Sequence, residues 1–399
     1  MTTADHAFAP ARRRLLSPAM ARHACLAALV ALSGCSVFVP QERAAKTPVP
    51  PPGSAGLPPI ATHVFPYDPK TVSVVGVLQL THARHEDTLA DIARRFNLGF
   101  DEVARANPGV DPWLPGEGTR IVLPTQFVLP DAPHEGLVIN VAALRVFYFP
   151  KAAKGEPRTV MTFPIGIGKV GWATPIGTTK IVSKRKDPYW TPPASVRKEH
   201  AEEGDILPAR VPPGPDNPLG AFAMNLGWPS YLIHGTNKPA GVGLRASHGC
   251  IRMYPEDIAA VFDGIAVGTK VTVVDQPLLY RWQGDSLYVQ AYPPHLEQEE
   301  DPALETKPAF TESMLSRMWQ RAKPHGGRID PALVEQVVNE QRGVAVPVSR
   351  SGLNYDGVIA TARLVKNELP EGANWDGQDP EAADAATEPV ATAGDKDGR

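Results

Sequence analysis

The sequence predicts a multidomain, mainly β protein: a β-sandwich or partly closed barrel, preceded by a small α+β unit. Three observations carry this. From Gly136 to Asp275 apolar residues recur with a period of two, in short runs separated by Gly- and Pro-rich loops. Around Leu89 the period changes to that of a helix. The chain has 399 residues with 43 prolines, too long for one small domain and about twice as proline-rich as usual, which implies spacers and long loops.

In chain order, residues 1–34 read as an export signal. Arg12, Arg13 and Arg14 form a positive region, Ala24 to Leu32 a short apolar segment, and Leu32-Ser33-Gly34-Cys35 closes it. That tetrapeptide resembles the bacterial lipobox, which implies lipidation at Cys35. Ser36 stands where the inner-membrane retention signal would have Asp, so the expected location is the periplasm, anchored to the outer membrane through lipidated Cys35. Of the three cysteines, at 25, 35 and 250, cleavage and acylation would leave Cys250 alone, with no disulfide partner. Residues 35–70 read as a Pro-rich linker, with Pro50, Pro51 and Pro52 in series. A net charge of −3 provides no field to attract nucleic acid. No apolar run approaches the length of a membrane span.

Residues 76–124 form the α+β unit. Leu89, Ile92, Ala93 and Phe96 fall at i, i+3, i+4 and i+7, with Asp87 or Thr88 as cap. A second helix near Phe100 to Ala106 ends at Asn107-Pro108-Gly109, and Ile121-Val122 begins a strand. This strand-helix-helix-strand (βααβ) order, with Asp87-Thr88-Leu89, Asn107-Pro108 and Leu114-Pro115-Gly116, resembles a LysM module, departing at Glu86 where that family usually has Gly. The resemblance implies binding to N-acetylglucosamine-containing glycan; a spacer that no longer binds sugar is the alternative.

Residues 134–276 carry the period-two pattern. Leu137, Ile139 and Val141 share a face, Ala142-Ala143 turns the chain into Arg145 to Phe149, and strands are expected at Thr179 to Val182, Tyr231 to Ile233 and Lys270 to Val274. Residues 277–350 hold a hairpin and two helices, the second capped by Asp330 with Pro331 in its first turn. Residues 351–399 read as an acidic, disordered tail.

The chemistry lies in Ile233-His234-Gly235-Thr236 and Ser247-His248-Gly249-Cys250-Ile251-Arg252. A thiol with an ordinary pKa near 8.5 is mostly protonated at neutral pH. A neighbouring His can take its proton, or stabilise the anion as imidazolium. His234 comes from a separate strand and could face the sulfur across the sheet. Gly249 allows a close turn, the amides near Cys250 could bind a tetrahedral oxyanion, and Arg252 offers a planar fork for a carboxylate. These residues point to a Cys/His acyl-transfer site. A zinc site on His234, His248 and Cys250 lacks a fourth ligand nearby, and a buried structural cysteine would not require two histidines and an arginine. Tyr189 and Trp190 could wall a peptide groove or simply pack on the sheet.

These segments, with Gly171-Trp172-Ala173-Thr174-Pro175, Asp187-Pro188-Tyr189-Trp190 and Pro255-Glu256-Asp257, resemble the YkuD-type L,D-transpeptidases, most closely the ErfK/YbiS group. The resemblance implies that Cys250 attacks a tetrapeptide stem of peptidoglycan at the L-centre of diaminopimelate, expels D-alanine, and passes the acyl group to an amine. That amine belongs either to a second stem, giving a 3-3 crosslink, or to a lysine-ended outer-membrane lipoprotein. His234 is then the base, its tautomer held by the Gly235 carbonyl. His248, Ser247 and the Gly249 and Cys250 amides build the pocket and oxyanion hole, and Arg252, Tyr189 and Trp190 hold substrate. The partners implied are stem peptides and glycan strands, with no cofactor, no metal and no nucleic acid. The alternatives are an L,D-carboxypeptidase or amide hydrolase at the same cysteine, and a non-enzymatic LysM wall anchor.

Overall fold

A computed structural model describes residues 63–369 except 170, 203, 295–311, 324–328 and 350–352. The expected signal segment 1–34, Cys35, the spacer as far as residue 62 and the chain beyond 369 lie outside the described residues. No described helix is long and apolar enough to cross a membrane.

The central element is a nine-stranded sheet. From one edge to the other its strands run Val64–Pro66, Thr159–Pro164, Arg145–Phe149, Gly136–Asn140, Lys270–Val274, Gly177–Lys186, Phe222–Leu226, Leu232–His234 and Ile251–Arg252. Neighbours are antiparallel except Lys270–Val274 with Gly136–Asn140 and Leu232–His234 with Ile251–Arg252, which are parallel. The sheet curls until its last strand meets the segment that follows its second strand, Thr159–Pro164. Gly166, just past Thr159–Pro164, exchanges backbone hydrogen bonds with Arg252 on the last strand, and Ile167–Gly168 pairs beside it with Arg245–Ser247. Two helices interrupt the otherwise β domain, Ala194–Glu202 and Pro255–Phe262.

At Gly136–Asn140 and Arg145–Phe149 the curled sheet is buried on both faces. Leu137, Ile139, Val146 and Tyr148 point into its interior with Ile233, Ile251 and Ile258. Their alternates Val138, Phe147 and Phe149 pack outward against Leu89, Ile92, Phe96 and Val103, as the strand period of two requires. Residues 79–123 supply that outer layer as strand Gln79–His82, helices Leu89–Arg95 and Phe100–Ala106, and strand Arg120–Leu123. Thr88 caps the first helix in a reciprocal box with Asp91. Asp87 is instead buried in an ion pair with Arg95.

A second buried pair joins the two layers. Glu102 accepts from Arg145 Nε at 2.7 Å and Nη2 at 2.8 Å. The same carboxylate caps the next helix by accepting from the Gly99 amide at 2.7 Å, and the Arg145 guanidinium lies 4.2 Å from the centre of the Phe127 ring.

Two expected boundaries are corrected. The linker was expected to reach residue 70, yet Val64–Pro66 is already an edge strand on Thr159–Pro164; proline is tolerated at such an edge, so proline content did not mark the boundary. The disordered tail was expected from 351, yet Tyr355–Ala360 is a helix capped by Asn354, with Tyr355 wholly buried. Arg363–Leu364 then pairs in parallel with Gln79–Leu80. Asn367 beyond it donates to the His82 carbonyl at 2.9 Å and to Asp87 at 2.6 Å. The apolar residues of 353–365 were hidden by averaging with the acidic stretch that follows. The hairpin Leu278–Gln283/Ser286–Ala291 and helices Glu312–Ala322 and Pro331–Glu340 share this C-terminal core.

Replacing Glu102 by Ala would leave the buried Arg145 charge without its carboxylate and the helix without its cap. The expected loss is about 3–5 kcal/mol of unfolding free energy, read from urea denaturation; a loss below about 1 kcal/mol would show that this pair does not join the layers.

Candidate active site

The site forms where the curled sheet meets itself. Strand Leu232–His234 lies between Phe222–Leu226 and Ile251–Arg252, with Ile233 opposite Ile251 and His234 opposite Arg252. Ile233 and Ile251 are each 1% exposed and face the core. The alternates His234 and Arg252 therefore stand on the other face, and Cys250 immediately precedes the strand that carries Arg252. His234 and Arg252, eighteen apart in sequence, are brought side by side by this two-residue parallel ladder.

His234 is buried, and its Nδ1 hydrogen bonds the Gly235 carbonyl at 2.6 Å. An N–H at Nδ1 leaves Nε2 as the ring's acceptor. Burial, reinforced by the nearby Arg252 charge, lowers its pKa to about 3, so the imidazole is neutral at ordinary pH. Cys250 is a free thiol, partly exposed, 3.6 Å from the Ser230 carbonyl. Burial pushes its pKa up, while the Leu232 backbone and the Arg252 charge oppose that rise. Of the two activation modes open in the sequence, this environment favours a neutral thiol beside a neutral base over a preformed ion pair, because both charged forms are penalised by desolvation.

The turn before the sulfur is held from three sides. Ser247, expected to help build the oxyanion pocket, is buried and donates from Oγ to the Cys250 carbonyl at 2.6 Å, closing the turn. Gly249 adopts φ +97°, and a Cβ there would stand 2.9 Å from the Tyr231 ring, so glycine is required twice over. Thr174, also buried, donates to the Gly249 carbonyl at 3.0 Å. Among the described residues, neither the Gly249 nor the Cys250 amide donates to a backbone carbonyl.

His248 faces a different group. Its Nε2 meets Glu199 at 3.0 Å and the Trp172 ring stands edge-on at 4.9 Å. Glu199 is also paired with Lys169, whose ammonium holds the carboxyl below the usual range, with a smaller pull from His248. Burial lowers the His248 pKa, opposed by the Glu199 charge. His248 is thus fastened to helix Ala194–Glu202 through its Nε2, whereas among the described residues His234 is hydrogen-bonded through Nδ1 alone. The Arg252 guanidinium reaches the Gly241 backbone, with Nη1 3.1 Å from where a Cβ on Gly241 would sit.

Tyr189 and Trp190 are held by their own loop. Arg210 lies 3.7 Å over the Tyr189 ring, and Trp190 exchanges backbone hydrogen bonds with Val211. Glu199, Lys169 and Thr174 went unassigned in the sequence. Helix Ala194–Glu202 buries only Val196, so it has no apolar stripe to betray it; Thr174 lay in a quoted motif without a role. Among the described residues no group of three His, Cys, Asp or Glu could hold a metal ion.

Residues 135–273 match the family model YkuD, the L,D-transpeptidase catalytic domain. The chain is 36% identical over 295 residues to a Salmonella typhimurium protein named Probable L,D-transpeptidase ErfK/SrfK, covering 72% of this chain and 93% of that one. It is 36% identical over 299 residues to the Escherichia coli protein named Probable L,D-transpeptidase YcfS, covering 73% and 90%. To the Escherichia coli protein named Probable L,D-transpeptidase YbiS it is 45% identical over 204 residues, covering 51% and 65%.

A cation beside a thiol favours the thiolate. The pH midpoint for alkylation of Cys250 by iodoacetamide is therefore expected above the ordinary thiol value of about 8.5, and Arg252→Ala should raise it further. A midpoint that stays put or falls in the variant would remove Arg252 from the site's electrostatics.

Proposed function

Because the chain belongs to the L,D-transpeptidase family of cysteine acyltransferases, we propose that Cys250 carries the acyl group of a peptidoglycan tetrapeptide stem to an amine acceptor. The observations that carry this reading are that Cys250 directly precedes the strand paired with Leu232–His234, that the Arg252 charge acts on both Cys250 and His234, and that the buried His234 has its Nδ1 engaged by Gly235, leaving Nε2 to accept a proton.

In this mechanism His234 Nε2 takes the thiol proton as sulfur attacks the carbonyl at the L-centre of diaminopimelate. The carbonyl oxygen becomes an oxyanion, which the Gly249 and Cys250 amides receive. Collapse breaks the C–N bond, and His234 returns its proton to the departing D-alanine amine. The thioester retains much of the amide's free energy, so no nucleotide is required. An acceptor amine then attacks, loses its proton to His234, and releases the thiol. Arg252 offers its guanidinium to a carboxylate of the stem. His248, fastened to Glu199, serves as a wall of the pocket and not as the base.

The βααβ unit is proposed to be a LysM module that holds glycan near the site and so raises the effective concentration of stems. Lipidation of Cys35 and residence at the periplasmic face of the outer membrane complete the proposal. A lysine-ended lipoprotein is an acceptor of the same chemical class as a second stem.

The test is product analysis by chromatography and mass spectrometry after the protein is mixed with a purified tetrapeptide muropeptide. Crosslinked dimers with D-alanine release, both abolished in Cys250→Ala, are expected. Tripeptide as the sole product would overturn amine transfer in favour of hydrolysis, and unchanged tetrapeptide would remove this substrate class.

A further inference from the structure

Besides its packing on Val138, Phe147 and Arg145, the βααβ unit contacts the catalytic domain on both sides of the segment that carries Cys250. Upstream of Cys250, Gly99 and Gly243 pack backbone against backbone: a Cβ on Gly99 would stand 2.7 Å from the Gly243 Cα, and one on Gly243 would stand 2.3 Å from the Phe100 nitrogen. Neither position has room for a side chain. The first amides of helix Phe100–Ala106, which have no partner within their own helix, donate to this loop: Phe100 to the Val242 carbonyl and Asp101 to the Gly243 carbonyl, each at 3.4 Å. The loop passes the restraint inward, because the Gly243 amide donates to Ile165 and the Leu244 carbonyl accepts from Ile167. Gly166, between those two, is the residue bonded to Arg252.

Downstream of Cys250 the same unit grips helix Pro255–Phe262. Arg94 makes a two-pronged pair with Glu256 at 2.9 and 3.1 Å, and its guanidinium stands 5.7 Å over the Tyr254 ring. The Tyr254 hydroxyl donates to the Leu98 carbonyl at 3.0 Å, and Asn97 is bonded to Asp257. Residues 242–257 are therefore held at both ends by one pair of helices, with Cys250 between the holds. A module used only to bind glycan would need no such grip, and a flexible linker would serve it.

We infer that the two-helix unit is a positioning element of the transfer reaction: it braces the Cys250 segment against the closed edge of the sheet, so that catalysis depends on it even with substrates that contain no sugar. This rests on the transferase reading above. Arg94 and Glu256 are the positioning residues at which it can be tested, since their pair lies at the margin of the contact, with side chains 9% and 28% exposed.

The test uses the full chain with Arg94→Glu, Glu256→Arg and both together, on a soluble stem tetrapeptide lacking glycan. Three quantities are read: kcat per titratable Cys250 thiol, KM for the peptide, and the rate of Cys250 alkylation by iodoacetamide. Displacement of a reacting group by a distant change can cost up to about a hundredfold, so each single variant should lose about tenfold or more in kcat per thiol. KM should change little, and the reversed pair in the double variant should restore most of the rate. Counting by titratable thiol removes any unfolded fraction from the comparison. Unchanged kcat and alkylation rate in both single variants would overturn the inference, as would a loss that the double variant does not recover. If the parent chain forms no thioester at all, the transferase reading fails instead, and the alkylation rates alone then decide whether the unit braces the thiol.

Discussion

The site depends on one short parallel ladder, Leu232–His234 on Ile251–Arg252. It is two residue pairs long and lies at the last edge of a nine-stranded sheet, where a strand has few neighbours and little to fix its register. A slip by one residue would turn Ile233 or Ile251 out of the core and send His234 or Arg252 inward. Two supports hold the register. Ile233 and Ile251 are anchored in the interior, and the hydrogen bonds between Gly166 and Arg252 close the sheet upon itself, so that the edge is no longer open.

Burial makes the site a neutral one. His234 is kept uncharged by its surroundings and by the Arg252 charge, while the same charge works in the opposite sense on the thiol. The Arg252 cation lowers both pKa values: it favours the thiolate once the proton has left sulfur, and it disfavours a stable imidazolium at rest. The two histidines, alike in the sequence, are separated by their partners. One is tied to a backbone carbonyl through Nδ1; the other is tied to a carboxylate through Nε2.

Much of this was legible in the sequence where a local pattern repeats or a motif is short. The alternation of Leu137 and Ile139 marks the inner face of the sheet, and the spacing of Leu89, Ile92 and Phe96 marks a helix; both faces are seen in the packing. The Ser247–Arg252 run with His234 marks the candidate site around the free thiol Cys250. What was not legible is relational. Val138 and Phe147 carry no sign that they cover a second layer. The polar helix Ala194–Glu202 shows no stripe, because a carboxylate holds it to the site. Ser247 is a plausible oxyanion donor by position, yet its hydroxyl is spent on the turn. Residues 353–369 look like the acidic stretch that follows them until Tyr355 is seen buried and Leu364 paired with Leu80.

The account turns on Cys250 becoming an acyl carrier with His234 as its base. The most direct measurement is the intact mass of the full chain, quenched in acid within the first turnover of a tetrapeptide muropeptide, for the parent and for His234→Ala. The account predicts an adduct equal to the stem fragment without its D-alanine, mapped to the Cys250 peptide in the parent and formed far more slowly in the variant. An adduct on any other residue, or one that forms equally fast without His234, would contradict it.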